Sequence, residues 1–411
     1  MIGVAEAIAR LERGELSAEQ LVRDCLLRIE EREPAVQAWE ALDVDGALRE
    51  ARRIDRLREK PPLCGLPVGV KDLIDTRDLP TCYGSPIHQG HRPAADAACV
   101  RRLREAGAIV LGKTVTTEFA GYWPGKTRNP RDPSRTPGGS SSGSAAAVAD
   151  GMVPVALGSQ TAASVVRPAS FCGVIGLKPT HGLIPMEGVH PVAPSLDTLG
   201  FFVRKIEDAA PVLQVLADRP LLKVGAGRPR LGFVRTEAWP RALPQTQRAV
   251  EEAARGLGAA EVQLGEAFTG LVDAQIAIMG AEASESLRGK PRERLSARLR
   301  QFLEEGAAVP PGRLQAAREK AERAREEIGE VFRRVDALIT PATVGEAPEG
   351  LDSTGDPLFS RIWTLLGTPC LSLPVLEGPA GLPLGLQVVG PRGDEGRLLG
   401  AGAWISREMK R

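Results

Sequence analysis

Histidine occurs only four times and tyrosine twice in 411 residues. That scarcity bears first on catalysis. A Ser-His-Asp constellation needs one histidine held between a nucleophile and a carboxylate. His88 and His91 sit three apart, and His181 and His190 stand alone among turn residues, so nothing around any of them favours that role. There is no HExxH run, and no histidine lies at a metal-binding spacing from carboxylates or thiols, so no metal is expected. The six cysteines (Cys25, Cys64, Cys82, Cys99, Cys172 and Cys370) are scattered without a CxxC pair. This argues against a disulfide framework or a zinc knuckle and for small buried hydrophobes. Charge of neither sign is in excess, with 53 basic against 52 acidic residues, and so gives no electrostatic footprint for nucleic acid or an anionic membrane. No apolar run approaches the roughly 20 residues of a membrane helix. The opening MIGVAEAIARLERGELSAEQ is broken by acids too early for a secretory signal. These absences imply a soluble, cytoplasmic protein without nucleic-acid or membrane partners.

What is present is a 43% hydrophobic chain, long enough for one large α/β domain or two ordinary ones. Val4, Ile8 and Leu11 predict a first helix, which Gly14 can close. Ser17 and Gln20 have the form of a capping box starting a second helix, with Leu21, Cys25 and Ile29 on one face. A third, arginine-rich helix is expected over residues 45–60. Residues 66–70 read as a buried strand, 97–106 as a helix and 108–111 as the next strand, an order typical of α/β proteins. Residues 123–144 (WPGKTRNPRDPSRTPGGSSSGS) have the composition of a linker. The helix former Ala145–Ala149 and the strand-like run 153–157 follow directly, so we read an ordered loop at a helix N-terminus. Helix and strand alternate to Leu264. Helical periodicity dominates 268–335, where 210–335 can form a helical cap. Strands are expected at 337–339, 370–373 and 384–389, before a closing helix over 395–409.

Three segments carry the chemistry. In GLPVGVKD (65–72) a lysine, Lys71, ends a buried strand, where loss of solvent lowers an amine's pKa. GGSSSG (138–143) reads either as an anion cradle at a helix N-terminus or as a serine-presenting turn. It lacks the GK[ST] ending of a P-loop, and no cofactor is indicated. The third segment is LGSQTAASVVRPASFCGVIGLKP (157–179).

Taken together, these segments resemble the amidase signature family. The resemblance extends from residues 65–72 to PLGLQ (383–387). STGDP (353–357) and WTLLGTPC (363–370) are most similar to its malonamidase-like branch. The resemblance implies an α/β fold with a large central mixed β-sheet flanked by helices on both faces. It implies one domain over 1–411: N-terminal helices over 1–60, a catalytic core over 61–204, a mostly helical substrate-side region over 205–335 and a return to the core sheet over 336–411. It places the nucleophile at Ser164, a bridging serine presented through a cis peptide at Ser140, and the base at Lys71. The oxyanion hole falls on the backbone N–H groups of Thr161, Ala162, Ala163 and Ser164. The family usually has glycine at one or both of the positions held by Ala162 and Ala163. If that turn needs positive φ, alanine strains it. Ser141, Asp72 and Asp197 fall on supporting positions. Arg167 is either a fork for a substrate carboxylate or a structural arginine.

The implied activity is cleavage of a carboxamide C–N bond through an acyl-enzyme, on a small aliphatic amide with or without a carboxylate. The implied partners are that molecule and a second copy of the chain in a homodimer. One rival is the glutaminase subunit of a tRNA-dependent amidotransferase. Its segment after the nucleophile usually reads SIRQPA, and the SVVRPA here and the short chain speak against it. The other rival is a scaffold with little or no activity.

Overall fold

The apolar runs read as strands fold into a single sheet. The computed structural model describes residues 2–220, 225 and 227–410. The strands are β1 (Trp39–Leu42), β2 (Pro67–Lys71), β3 (Ile109–Thr114), β4 (Val155–Gln160), β5 (Ile175–Lys178), β6 (Thr198–Val203), β7 (Leu231–Val234), β8 (Ala260–Val262), β9 (Ala337–Pro341), β10 (Cys370–Glu377) and β11 (Pro383–Val389). They form an 11-stranded sheet in the order β1-β3-β2-β4-β6-β5-β10-β11-β9-β7-β8. The sheet is mixed. β2 runs parallel to β3 and β4, and β7 parallel to β8 and β9, while the other pairings are antiparallel. Every residue of β2, β3, β4, β5, β6 and β9 is buried. Strands covered on both faces need no polar alternation, which is why these segments read as unbroken apolar runs.

Local signals set the helix ends. Ser17 Oγ accepts from Gln20 N at 3.0 Å and starts helix Ala18–Val36, which buries Leu21, Cys25 and Ile29. The helix expected over 45–60 stops at Asp55. There Lys60 folds back and donates to the carbonyls of Ile54 and Asp55 at 2.9 and 3.0 Å, capping the last turn. The serine-rich loop leads into helix Ser142–Ala149, three residues earlier than composition suggested. Residues 210–335 do not form a purely helical cap, because β7 and β8 extend the sheet at its far edge. Helices Leu271–Ser286, Ala297–Ala307 and Pro311–Arg334 follow. Among the described residues no helix is long and apolar enough to cross a membrane.

Candidate active site

The parallel trio β3-β2-β4 brings the first and third segments together. Lys71 is the last residue of β2, and the register Val70↔Leu157 sets it beside the end of β4. Its side chain is wholly buried. Nζ lies 2.7 Å from Ser140 Oγ and 2.9 Å from Ser159 Oγ. Loss of solvent pulls the Lys71 amine down to about 7, and Asp197 opposes that shift. At neutral pH a large share of the amine is therefore uncharged and can take a proton from a hydroxyl. Ser159 is the contact that sequence reasoning missed. It lies in the quoted segment, but only the strand register puts it next to Lys71.

The peptide bond Gly139–Ser140 is cis, and Gly138 has φ +80°. A Cβ on Gly139 would lie 2.7 Å from Thr354 Cγ2, so the chain fits there only without a side chain. Ser141 ties this loop to β4. Its Oγ donates to Ser159 O at 3.2 Å and accepts from Ser159 N at 3.3 Å.

Asp72 follows Lys71 but does not neutralise it. Its carboxylate accepts from Cys82 N at 3.0 Å and lies 3.3 Å from Lys113 Nζ, with both side chains buried. Lys113 also donates to Ile74 O and Thr81 Oγ1 at 2.7 and 2.6 Å. Burial pushes the Asp72 carboxyl up to about 6, against the pull of Lys113. Lys113 thus takes up the Asp72 carboxylate, and among the described residues Lys71 has no ion-pair partner. Lys113 was missed as well, although a lysine inside the apolar run AIVLGKT was a visible signal.

The turn 161–164 joins β4 to helix Val166–Cys172. Its carbonyls are gripped from outside. Gln275 Nε2 donates to Thr161 O at 3.0 Å, Thr364 Oγ1 to Ala162 O at 2.8 Å, and Arg167 N to Ala163 O at 2.9 Å. Gln160 Oε1 accepts from the N–H groups of Val165 and Val166 at 2.9 and 3.0 Å. Thr161 Oγ1 donates to Asp197 Oδ1 at 2.6 Å, and Asp197 Oδ2 accepts from Val192 N and Ala193 N at 2.8 and 3.0 Å. Among the described residues, the N–H groups of Thr161, Ala162, Ala163 and Ser164 donate to no protein acceptor. Consecutive unspent amides beside a serine hydroxyl can bind an oxygen that gains negative charge. Neither Ala162 nor Ala163 has positive φ, so the strain considered for alanine does not arise.

Arg167 is 6% exposed, and its donors go to the protein. Nε and Nη2 donate to Gly139 O at 3.2 and 2.7 Å, Nη2 to Thr354 Oγ1 at 3.0 Å, and Nη1 to Gly355 O at 2.5 Å. Burial, then the neighbouring Arg361, pulls its guanidinium down to about 10. Of the two readings of Arg167, the contacts favour the structural one, a clamp on the residue before Ser140.

The family model described as Amidase matches residues 20–399. The chain belongs to the amidase family. A glutamyl-tRNA(Gln) amidotransferase subunit from Nitratidesulfovibrio vulgaris (strain DP4) is 37% identical, over 97% of this chain and 95% of that one. A solved amidase structure is 31% identical with a TM-score of 0.90, covering 99% of both chains. Another solved structure, of a vestigial protein complex that reveals the evolutionary origins of an s-triazine catabolic enzyme, is 30% identical with a TM-score of 0.91. It covers 99% of this chain and 98% of that one. The amidase relationship thus holds at the level of the family, and these relatives do not single out the malonamidase-like branch. The expectation of small-molecule partners and no nucleic acid is corrected by the first relative, which by its name belongs to an amidotransferase of a tRNA. Net charge failed as a guide because it averages over the whole surface, and one chain of an assembly needs no basic excess of its own.

Proposed function

We propose that the chain cleaves a carboxamide C–N bond through Ser164, and does so as the glutaminase-type subunit of an amidotransferase that passes ammonia to a partner protein. The observation that carries the chemistry is the 2.7 Å contact between the buried Lys71 amine and Ser140. Lys71 takes the Ser140 proton and Ser140 takes that of Ser164. Ser164 Oγ bonds to the amide carbon, and the oxygen that becomes negative is held by the amides of the 161–164 turn. Collapse of this adduct breaks the C–N bond, and the relay returns the proton to the departing nitrogen. Water then releases the acid from Ser164 through the same relay. Asp72 and Asp197 hold neighbouring segments, and Ser141 and Ser159 align the loop with β4.

The amidotransferase assignment is supported by the relative 37% identical over nearly the full length of both chains. The malonamidase-like features do not outweigh it. A free-standing amidase for a small aliphatic amide is the second reading, supported by the 99% mutual coverage with a solved amidase. Ammonia release from glutamine, compared with release from a panel of small amides, separates the two, together with capture of partner subunits from the native cell. Release that is unchanged in Ser164→Ala overturns the proposed chemistry. The absence of both turnover and Ser164-dependent labelling by a fluorophosphonate favours the inactive scaffold.

A further inference from the structure

Arg361 is a second buried guanidinium beside the site, and its charge is not neutralised. It lies on helix Leu358–Leu365 and is 6% exposed. It donates through Nη1 to Gln275 Oε1 and through Nη2 to Tyr122 OH at 3.4 Å. Among the described residues no carboxylate forms an ion pair with it, whereas the buried Lys113 has Asp72. A guanidinium taken out of water and paired only with neutral acceptors is costly unless another group completes its shell.

Arg361 opens on a cavity of about 400 Å³, lined also by Tyr122, Phe302, Thr354 and Gly355. Both ends of this wall touch the proposed site. Thr354 and Gly355 accept from Arg167, which holds Gly139 next to Ser140. Gln275 accepts from Arg361 and donates to Thr161 O. One helical turn after Arg361, Thr364 grips Ala162 O. The cation is therefore two side-chain contacts from the turn whose amides face the reacting carbonyl. Arg298 lines the same cavity and adds positive charge, while Glu305 is the acid on the wall and accepts from Gln301 Nε2 at 2.9 Å.

We propose that Arg361, rather than Arg167, binds a carboxylate carried by the substrate a few bonds from its carboxamide. This rests on the reading of the site given under Proposed function and names the substrate class of that site. Arg167 has committed its donors to main-chain oxygens and Thr354. Arg361 keeps its charge unmatched and faces the cavity. A short amide with its carboxamide at Ser164 has the Arg361 guanidinium on the side of the turn that Gln275 ties to it. A neutral amide leaves the cation unpaired.

The test is binding to the Ser164→Ala chain, which leaves the ligand intact. Succinamate and succinamide have the same shape and differ only in charge at the far end. Titration calorimetry is expected to find succinamate bound at least about tenfold more tightly, the size of a charge-assisted pair. Adding Arg361→Met is expected to remove that ratio and Arg361→Lys to keep part of it. A structural role alone weakens both ligands equally. The inference is overturned if the ratio is near one, if it survives Arg361→Met in a chain that keeps its melting temperature, or if neither ligand binds. Should Arg361→Met not fold, the ratio in Arg361→Lys decides. It falls if the inference holds and is unchanged if it does not. The proposed chemistry fails by a different sign, hydrolysis that persists in Ser164→Ala, so the two failures are distinguishable.

Discussion

In the proposed mechanism the acid limb of the pH–rate profile is expected to report the Lys71 amine. Burial lowers the amine from its ordinary 10.5 to about 7. An unshifted lysine is uncharged in only about one molecule in three thousand at pH 7, against about half for Lys71, a gain of roughly three orders of magnitude in competent base. The kcat/KM of the free enzyme is therefore expected to rise tenfold per pH unit below about 6 and to level off by about pH 8. Asp197 is the acid that raises the Lys71 pKa. Removing its charge with Asp197→Asn, which keeps the side-chain shape, is expected to move the limb to lower pH. Lys71→Arg replaces the base with a group that stays charged and is expected to cost at least about a thousandfold. The assay is initial ammonia release between pH 5 and 10 on an amide the wild type turns over. A limb centred near 10, a flat profile below pH 7, or an Asp197→Asn limb displaced upward refutes the argument.

Three other perturbations follow from the same contacts. Ala163→Gly is expected to lower stability by about 0.5–1 kcal/mol with no gain in kcat, because the position does not use positive φ; a clear rate increase with the melting temperature unchanged goes against this. Arg167→Met is expected to cost about 3 kcal/mol by stranding buried carbonyls and to lower kcat without changing the succinamate preference, which denaturant melts and the binding ratio check together. Lys113→Met leaves the Asp72 carboxylate buried and unpaired, with an expected loss of about 3–5 kcal/mol. The double change with Asp72→Asn is expected to recover part of it, and additive losses in chemical denaturation contradict the pairing.

The strands were legible because they are buried on both faces, so that runs such as 66–70 and 108–111 stood out without any partner in view. The edge strand Trp39–Leu42 was not, since four residues half open to solvent carry no pattern. The third helix was read too long because its stop comes from Lys60 folding back, not from a breaker at Asp55. At the site, the meeting of Lys71 and Ser140 was implied by resemblance to a family. Ser159 was not foreseen, since its position depends on which strands neighbour β2; Lys113 stood visibly inside an apolar run, but its pairing with Asp72 depends on the same topology. Arg167 invited a ligand-binding role from sequence position alone, and three-dimensional contacts from Thr354 and Gly355, nearly two hundred residues away, draw it toward a structural one. Arg361 gave no signal, because one charged residue on a short apolar helix looks like a surface position until the helix is found buried.

The gripping of the 161–164 turn by its carbonyls has a consequence for how the chain tolerates change. Apart from the Ser164 hydroxyl, the groups the turn offers are backbone N–H groups, so no substitution at 161–163 other than proline deletes them, and the methyl groups at 162 and 163 impose no φ strain. Vulnerability moves to Gln275 and Thr364, more than a hundred residues downstream on separate helices. Variation there, far along the chain from any signature motif, is where silent-looking changes are expected to disable the molecule.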